Sequence, residues 1–349
     1  MPMRIRFEHT RYPHWGQRSG YVQFVRQLDP QHFCADLHVA SDSDADLARW
    51  LVPLRPYLRR LVRRGRMPWY KLSDLNAEIE ALKACLAGKV DIVHFLDGEH
   101  SGRFLPRLIR ATRLTAVRTI ATFHQPPDVA RELVDGRLLR WLDGIVLVSP
   151  SQLPFFQQYV PEHRLHVIMH GVDAEFFRPA ATPNVTDRVR CITVGHWLRD
   201  WDVFRSVAQV MTGIAFDVVT DRGSDVEGMP NVIIHSGVSD TTLAELYREA
   251  DILFLPLVDS TANNSLLEGI ASGLAVVATD LAAVRAYLPG NEGILVLENR
   301  IDGFIDAMRC LQNNVELRHA MGQRARTRAE ELAWPRIVRQ YEQLYAAVG

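Results

Sequence analysis

The sequence lacks the features that mark several classes of protein. Its four cysteines lie far apart, so no pair has the close spacing of a zinc or redox motif, and no disulfide framework is indicated. No apolar run approaches the roughly 18 residues of a transmembrane helix. Residues 1–7 enter an apparent strand and carry no apolar region of the signal-peptide type. We therefore expect a cytoplasmic protein in a reducing compartment.

An excess of charge of either sign is also missing. Lys and Arg number 40 against 41 Asp and Glu, which gives a formal net charge of −1, so the overall charge does not indicate a nucleic-acid partner. The chain has 349 residues, 47% of them hydrophobic, which suits two ordinary α/β domains with sizeable cores. We find no internal repeat and no low-complexity tract.

The sequence does contain a regular alternation of short apolar runs with helical patterns. This alternation favours parallel sheets built from β-α-β units. A stretch rich in Pro, Thr and Ala at 177–187 separates two such halves, so we predict two Rossmann-like domains whose parallel sheets face each other across a cleft. The predicted strands are 5–7, 36–40, 91–95, 118–123, 144–148 and 165–169 in the first half, and 190–194, 215–220, 231–235, 251–255, 275–278 and 293–296 in the second.

The most informative segment follows the predicted strand 251–255. Asn263, Asn264 and Ser265 are favourable residues for starting a helix. A helix start presents unbonded N–H groups and partial positive charge, which makes it a ready site for phosphate. Glu268, one turn further on, has two interpretations. Its carboxylate can accept two ribose hydroxyls, or it can form a capping box with Ser265 that only secures the helix start.

Three ordered stretches are typical of one enzyme family. Residues 265–280 read SLLEGIASGLAVVATD, residues 167–179 read VIMHGVDAEFFRP, and residues 239–256 run from SD to a final proline. They resemble LLEAMACGLPVVAT, VIPNGVDxxxFxP and VSDEELAxLYxxADxxxxP of the retaining family-4 glycosyltransferases, the group 1 type with the GT-B fold. The resemblance implies an enzyme that moves a sugar from a nucleoside-diphosphate sugar to a hydroxyl, with retention of configuration and without a metal or other cofactor.

The resemblance also implies a division of the chain. Residues 1–176 are expected to form the acceptor-side domain, 177–187 the linker, and 188–333 the nucleotide-sugar domain. The family suggests that the last helix, 334–349, packs back on the first domain. The alternative is that this helix simply completes the second domain.

The loop 195–202, GHWLRDWD, departs from the family's GRLxxxKG. Gly195 matches, but His196 stands where the family has Arg, and Trp201 stands where it has Lys. Arg199 lies between them, and its planar fork suits a diphosphate. The alternative is a surface arginine paired with Asp200 or Asp202.

A second departure concerns the donor sugar. The family has two glutamates eight residues apart, the second of which matches Glu268, but Ser260 stands in place of the first. We expect neighbouring polar residues to supply substitute contacts. The predicted donor-binding set is Gly16, Gly20, Gly195, His196, Asp259, Ser260, Asn263, Asn264, Ser265, Leu266 and Glu268, and the predicted catalytic set is His124, Arg199 and Glu268.

In the first half, the resemblance assigns the glycine-rich stretch 16–20 to the region of the donor phosphate. It places His124, which follows a strand, beside the transferred sugar. The preceding segment DIVHFLDGEH, residues 91–100, offers candidate acceptor-side residues. Asp97 or Glu99 could orient an acceptor hydroxyl, although exposed loop charge is the simpler account of either one.

Residues 49–71 hold eight cations and no acid, with Trp50, Tyr57, Trp69 and Tyr70 interleaved. Two interpretations remain open. One is a site for an anionic membrane surface, at the inner face of the membrane, or for a phosphate-bearing or lipid-linked acceptor. The other is a solvated basic helix. A nucleic-acid partner is not predicted, because no known binding module accompanies these residues.

Two other function classes remain open at this stage. The missing glutamate and lysine would suit a non-catalytic partner protein that binds a nucleotide or a glycan. A sugar-nucleotide epimerase with the same fold would also share the nucleotide-binding motifs.

Overall fold

The computed structural model describes residues 1–11, 18, 20–44, 47–112, 114, 116–181, 188–222 and 226–349. Packing divides the chain into two compact units. The first contains Met1–Trp15, Val22–Met169 and Ile337–Gly349, and the second contains Gly16–Tyr21 and His170–Arg336. Residues 170–176, which we predicted within the first domain, group here with the second unit. Part of the predicted linker, 182–187, lies outside the described residues.

Within the described part of the first unit, six parallel strands form one sheet in the order β2-β1-β3-β4-β5-β6. The strands are β1 Met3–Arg11, β2 Phe33–Ser41, β3 Ile92–Phe95, β4 Arg118–Phe123, β5 Gly144–Leu147 and β6 Leu165–Val167. The α-helices are α1 Arg55–Arg63, α2 Leu72–Leu86, α3 Leu105–Ala111, α4 Pro127–Leu133, α5 Gly136–Leu139 and α6 Leu153–Phe156. Short 3-10 helices cover Tyr21–Gln27, Arg49–Leu54, Pro150–Gln152 and Glu162–Arg164.

The second unit repeats this architecture in the order β12-β11-β10-β7-β8-β9. Its strands are β7 Arg190–Val194, β8 Ala215–Val219, β9 Val232–His235, β10 Ile252–Leu255, β11 Ala275–Thr279 and β12 Gly293–Val296. Its helices are α7 Trp201–Val210, α8 Asp240–Glu249, α9 Asn264–Ala271, α10 Ala282–Tyr287, a 3-10 turn at Leu297–Asn299, α11 Ile301–Asn313 and α12 Val315–Glu331.

The central strands are apolar on both faces because helices cover both sides of each sheet. In the first unit the core includes Val93, Phe95, Ala121, Phe123 and Ile145. In the second unit, Cys191, Phe216, Ile252, Phe254 and Val277 lie in the equivalent core. Continuous burial of this kind is what the short apolar runs of the sequence predict.

The last helix, α13, spans Trp334–Val348. Its first residues belong to the second unit, where the Trp334 N–H donates to the carbonyl of Val172. From Ile337 onward the helix belongs to the first unit. There the buried ring of Tyr341 stacks on Phe24 at 4.1 Å between centroids, and the Tyr345 hydroxyl lies 2.7 Å from Nδ1 of His94.

Strand β1 is longer than predicted. We expected residues 5–7, but the strand runs from Met3 to Arg11 and pairs along its whole length with β2. Its second half is polar yet buried, because Glu8 bonds Arg6 and His38. An apolar pattern cannot detect a strand whose buried side chains are satisfied by charged partners.

No helix among the described residues is both long enough and apolar enough to span a membrane.

Candidate functional site

The start of α9 is built by its own polar residues. The side chain of Asn263 is the N-cap and accepts the N–H of Leu266 at 3.2 Å, while Ser265 Oγ donates to Asn263 Oδ1 at 2.6 Å. The first amides of the helix, those of Asn264 and Ser265, have no partner inside the helix. They therefore offer hydrogen-bond donors and partial positive charge at the carboxyl end of β10.

Arg199 reaches this helix start. Its Nη2 donates to Ser265 Oγ at 2.6 Å and to the Val194 carbonyl at 2.6 Å, and lies 3.5 Å from Asn263 Oδ1. A tight turn delivers the side chain. Leu198 has a φ of +55°, a conformation that a leucine adopts only under strain. Strained backbone of this kind is common where a functional side chain must be held in position.

The alternative in which Arg199 pairs with a neighbouring carboxylate is wrong. Asp200 instead caps α7, accepting the Val203 N–H at 3.1 Å, and also accepts from Asn299. Asp202 pairs with Arg205 at 2.8 Å. The described residues provide no ion-pair partner for Arg199.

The environment of Arg199 is unusual for an arginine. Burial lowers the pKa of its guanidinium from 12.5 to about 10, and its Nε is buried without a hydrogen-bond partner. The side chain is still protonated at neutral pH. A cation is therefore held at the α9 start without a neutralising charge from the described protein.

Glu268 does not form the capping box, because α9 begins at Asn264 and takes Asn263 as its cap. Glu268 is buried, and its Oε2 accepts a hydrogen bond from the hydroxyl of Tyr247 at 3.0 Å. Burial, and then the nearby Glu268 carboxylate, raise the pKa of Tyr247 well above 10, so this hydroxyl stays protonated and donates. Tyr247 is on α8 and was not identified from the sequence.

Other predicted donor residues lie around the same helix start. Gly195 has a φ of +83°, and a β-carbon there would lie 3.5 Å from Nη2 of Arg199. The Arg199 N–H donates to the carbonyl of His196. Ser260 is buried, and its N–H donates to Asp259 Oδ1 at 2.7 Å. The structure therefore brings Gly195, His196 and Arg199 to the start of α9, while Asp259 and Ser260 lie in the loop that precedes this helix.

The two tryptophans of the 195–202 loop have different environments. Trp201 packs edge-on against Phe204, with ring centroids 5.7 Å apart, at the core of the second unit. Trp197 is about half exposed, at 51%. Trp201 is therefore a packing residue, whereas the Trp197 ring is accessible to solvent.

A buried polar cluster lies at the carboxyl ends of β1 and β3 in the first unit. Asp97 Oδ2 lies 2.9 Å from Nδ1 of His9 and accepts the Thr10 N–H at 2.8 Å. Burial alone would raise the pKa of Asp97, but the His9 imidazole overrides this and lowers it to about 2. Thr10 Oγ1 also donates to Asp74, a carboxyl whose pKa burial raises well above 3.8.

Glu99 and His124 are brought together beside this cluster. Glu99 Oε1 accepts the backbone N–H groups of His124 at 2.6 Å and of Gln125 at 2.7 Å. The His124 Nε2 lies 2.8 Å from the carbonyl of Leu96, so this nitrogen carries a proton and donates. Burial raises the pKa of Glu99. The strand ends thus collect several groups that can bind hydroxyls.

His94, one of the candidate acceptor-side residues, is instead a core residue. Its ring is fully buried between Tyr345 and the Thr122 hydroxyl, which lies 2.8 Å from Nε2. Burial lowers its pKa to about 3, so it stays neutral. His100 stacks against Trp69, with ring centroids 5.0 Å apart.

The predicted glycine-rich stretch is only partly described. Gly16 lies outside the described residues, and Gly20 has a φ of +89°, which favours glycine. Between them, the Arg18 N–H donates to Asp240 at 3.0 Å, and its guanidinium lies 3.3 Å from Asp173. The described residues contain no cluster of three or more His, Cys, Asp or Glu side chains suited to a metal ion.

Solved structures show that this architecture is a known fold. Sucrose-phosphate synthase from Thermosynechococcus elongatus has a TM-score of 0.75 at 15% identity, over 99% of both chains. HepE from Anabaena, solved in complex with UDP-glucose, has a TM-score of 0.72 at 10% identity, over 99% of this chain and 100% of that chain. Such low identities show the fold alone. The predicted fold class, two Rossmann-like domains of the GT-B type, is confirmed.

Family models then identify the class within that fold. The model described as Glycosyltransferase Family 4 matches residues 16–176, and the model described as Glycosyl transferases group 1 matches residues 174–314. The chain therefore belongs to the family-4, group 1 glycosyltransferases. The resemblance of the three sequence motifs is confirmed.

Curated relatives match over shorter stretches. D-inositol 3-phosphate glycosyltransferase of Paenarthrobacter aurescens is 34% identical over 111 residues, which are 31% of this chain and 27% of that enzyme. Phosphatidyl-myo-inositol mannosyltransferase of Mycolicibacterium smegmatis is 34% identical over 135 residues, 38% of this chain and 34% of that enzyme. The chain thus matches about a third of their length or less.

Proposed function

We propose that the protein transfers a sugar from a nucleoside-diphosphate sugar to a hydroxyl acceptor. The observation that carries this proposal is Arg199, a cation at the start of α9 that has no carboxylate partner among the described residues. Burying an uncompensated charge is costly. An anionic ligand that binds beside Ser265 would compensate that charge. A diphosphate combines with both the guanidinium fork and the helix amides.

We assign the parts of the donor as follows. The diphosphate binds Arg199 and the first amides of α9, while the ribose hydroxyls bind the carboxylate of Glu268. Tyr247 holds that carboxylate through its 3.0 Å hydrogen bond. The family resemblance supports the ribose assignment, as does the absence of the capping box at this helix start.

The proposed reaction retains the anomeric configuration and uses no metal ion. The bond between the anomeric carbon and the diphosphate oxygen breaks, and the acceptor oxygen bonds to the same face of the sugar. The acceptor proton passes to the departing phosphate oxygen. Arg199 and the α9 amides stabilise the negative charge that develops on the leaving group. Resemblance to the retaining enzymes supports this stereochemistry.

We place the acceptor at the polar strand ends of the first unit. Both curated relatives named above take their names from inositol compounds, which are rich in hydroxyls. Carboxylates such as Asp97 and Glu99 accept hydrogen bonds from hydroxyls, and His9 and His124 add ring nitrogens. We therefore propose a polyhydroxyl acceptor, with His124 acting near the transferred sugar, as in the family.

The donor sugar is recognised differently from the family's usual pattern. Ser260, which stands where the family has a glutamate, is buried, and its N–H donates a hydrogen bond to Asp259. We propose that Asp259 and Asn263 make the contacts to sugar hydroxyls that the missing glutamate makes elsewhere. Because Asp259 and Asn263 have shorter side chains than glutamate, we expect a preference for donor sugars whose hydroxyls can hydrogen-bond to them.

The first test is a thermal-shift panel of UDP, GDP, ADP, CMP and dTDP and their sugars. A ligand at about 100 times its dissociation constant stabilises the native state by about 2.7 kcal/mol, so the correct nucleotide should be distinguishable. NMR of products formed from that nucleotide sugar then reads the anomeric configuration, with and without EDTA. Failure of every nucleotide to stabilise the protein would contradict the proposal.

The other function classes give different results in the same assay. A non-catalytic partner protein binds the nucleotide but releases none from its sugar. An epimerase or a hydrolase consumes the nucleotide sugar without forming a glycosylated product. An inverted product anomer would contradict the mechanism while leaving the donor site standing.

A further inference from the structure

The segment 49–66 forms an outward surface on the first unit, made by the 3-10 helix Arg49–Leu54 and by α1. Its inner side is anchored by apolar packing. Leu51 and Val62 are buried, and Leu58 packs against the small core that contains Met67 and Tyr70. Arg55 is partly buried, most of the other side chains of the segment face solvent, and we call this exposed surface the basic face.

Arg103 fixes α1 in place. Its Nη1 donates to the Val62 carbonyl at 2.5 Å, and its Nη2 donates to the carbonyls of Leu61 and Arg64. These carbonyls lie at the C-terminal end of α1, where a cation is favourable. The guanidinium also lies over the ring of Tyr70 at 5.3 Å. The basic face is therefore held by a buried side chain.

The described part of the chain does not compensate the charge of the basic face. Six arginines are exposed, and none of them makes an ion pair with another described residue: Arg49, Arg59, Arg60, Arg63, Arg64 and Arg66. By contrast, Lys71 at the end of the basic segment pairs with Asp42. Most exposed cations of a soluble surface alternate with acids, so six unpaired arginines on one segment indicate an anionic partner.

The same face exposes large apolar side chains. Tyr57 is 73% exposed and Trp50 59%, and Leu54 and Leu61 are also exposed. On α1, Tyr57 and Leu61 are four residues apart and lie on one side of the helix, next to Arg60. A site that needed only charge, such as one for a free phosphate, would not gain from exposing these side chains to water.

We propose that the basic face binds an anionic lipid bilayer. Arginines interact with lipid phosphates, and the tyrosine, tryptophan and leucine side chains enter the boundary between headgroups and acyl chains. This combination distinguishes a bilayer from a nucleic acid, whose backbone offers phosphates but no apolar layer. The proposal is independent of the sugar-transfer reaction, since it uses none of the residues assigned to the donor or acceptor.

Vesicle sedimentation of the full chain tests the proposal. We expect binding to vesicles of phosphatidylcholine mixed with phosphatidylglycerol, weakening as salt rises, and little binding to phosphatidylcholine alone. The triple variant Arg59→Gln, Arg60→Gln and Arg63→Gln should lower the partition coefficient at least tenfold, because each arginine at an anionic surface contributes about fivefold.

The matched control removes three exposed arginines elsewhere, on α11 and α13: Arg309→Gln, Arg336→Gln and Arg339→Gln. It should bind anionic vesicles as the unchanged protein does. Equal losses in the two triple variants would overturn the proposal, because the effect would then follow net charge alone. Thermal unfolding should be similar for both, since all six side chains are exposed.

A second variant tests the apolar half of the proposal. Tyr57→Ser combined with Leu61→Ser keeps every charge and should weaken binding to anionic vesicles several-fold. Unchanged binding would overturn insertion into the bilayer. Tighter binding of the unchanged protein to duplex DNA than to anionic vesicles would overturn the choice of partner.

Discussion

Replacing Arg199 with methionine should separate ligand binding from stability. The side chain fills similar space but removes the cation at the α9 start. Two charge-assisted hydrogen bonds to a diphosphate contribute about 1.5–3 kcal/mol each, so we expect nucleoside-diphosphate affinity to fall by about 3 kcal/mol or more. That is at least about a hundredfold weaker dissociation constant, which isothermal titration calorimetry can measure.

Without a ligand, the free energy of unfolding of the variant should rise slightly or hardly change. Lowering of the Arg199 pKa from 12.5 to about 10 means that folding disfavours its charged form by about 3 kcal/mol. This penalty is full below pH 10 and disappears as the pH rises through 12.5. Methionine removes this penalty. It also removes the hydrogen bonds to the Val194 and Trp197 carbonyls and to Ser265, about 1 kcal/mol each, so the two effects offset each other.

The net change in the free energy of unfolding is therefore expected to be about 1 kcal/mol or less. Arg199→Lys keeps a point charge without the fork and should lose less affinity than methionine. Arg309→Met, on the exposed side of α11, is the control and should change neither quantity. A large loss of stability with unchanged nucleotide affinity would refute the reasoning, since Arg199 would then be a structural residue.

The remaining predictions concern one backbone position and one titration. Gly195→Ala should cost about 1 kcal/mol in thermal unfolding because of the φ of +83°, and should also weaken nucleotide binding; Gly228→Ala, with a φ of +80° in open surroundings, should cost similar stability without changing affinity. The folded pKa of the Asp97 carboxylate is about 2, so at a pH above its unfolded pKa it should contribute about 2 kcal/mol to the free energy of unfolding. This contribution is lost as the pH falls from about 4 towards 2. Without His9, burial should raise the folded pKa of Asp97, so the carboxylate no longer gives stability that acid can remove. Urea unfolding at pH 7 and pH 3 should therefore show that His9→Gln loses less stability on acidification than the unchanged protein, and equal acid sensitivity would contradict the role of His9.

The strands could be predicted because their pattern is local. Central parallel strands such as β4 and β10 are buried on both faces, so they appear in the sequence as short, continuous apolar runs. The polar end of β1 could not be found in this way. His9 was missed because its significance comes from Asp97, which lies 88 positions away along the chain.

The donor site was predictable in part. A helix start near Asn263 followed from ordinary capping preferences. The candidate ribose role of Glu268 followed from its place one turn into the helix and from the family resemblance, whereas the capping box that the sequence also allowed is not formed. The sequence left open whether Arg199 reaches that helix start or pairs with a nearby carboxylate. That outcome depends on the left-handed turn at Leu198 and on the bridge between Arg199 and Leu257, which are tertiary features.

The contact of Tyr247 with Glu268 was also beyond sequence reasoning. It joins α8 to α9, and a tyrosine on an amphipathic helix looks like an ordinary core residue. A buried tyrosine hydroxyl needs a hydrogen-bond partner. That this partner is Glu268 is evident only when the positions of both helices are known. The same holds for Arg103, whose role is to hold the end of α1.

A crystal structure of the protein with its preferred nucleoside diphosphate tests the central claim most directly. We predict that the phosphates lie within hydrogen-bonding distance of the Arg199 guanidinium and the amides of Asn264 and Ser265, with the ribose hydroxyls on the Glu268 carboxylate. A nucleotide bound elsewhere, or one that leaves Arg199 without an anionic partner, would contradict the account.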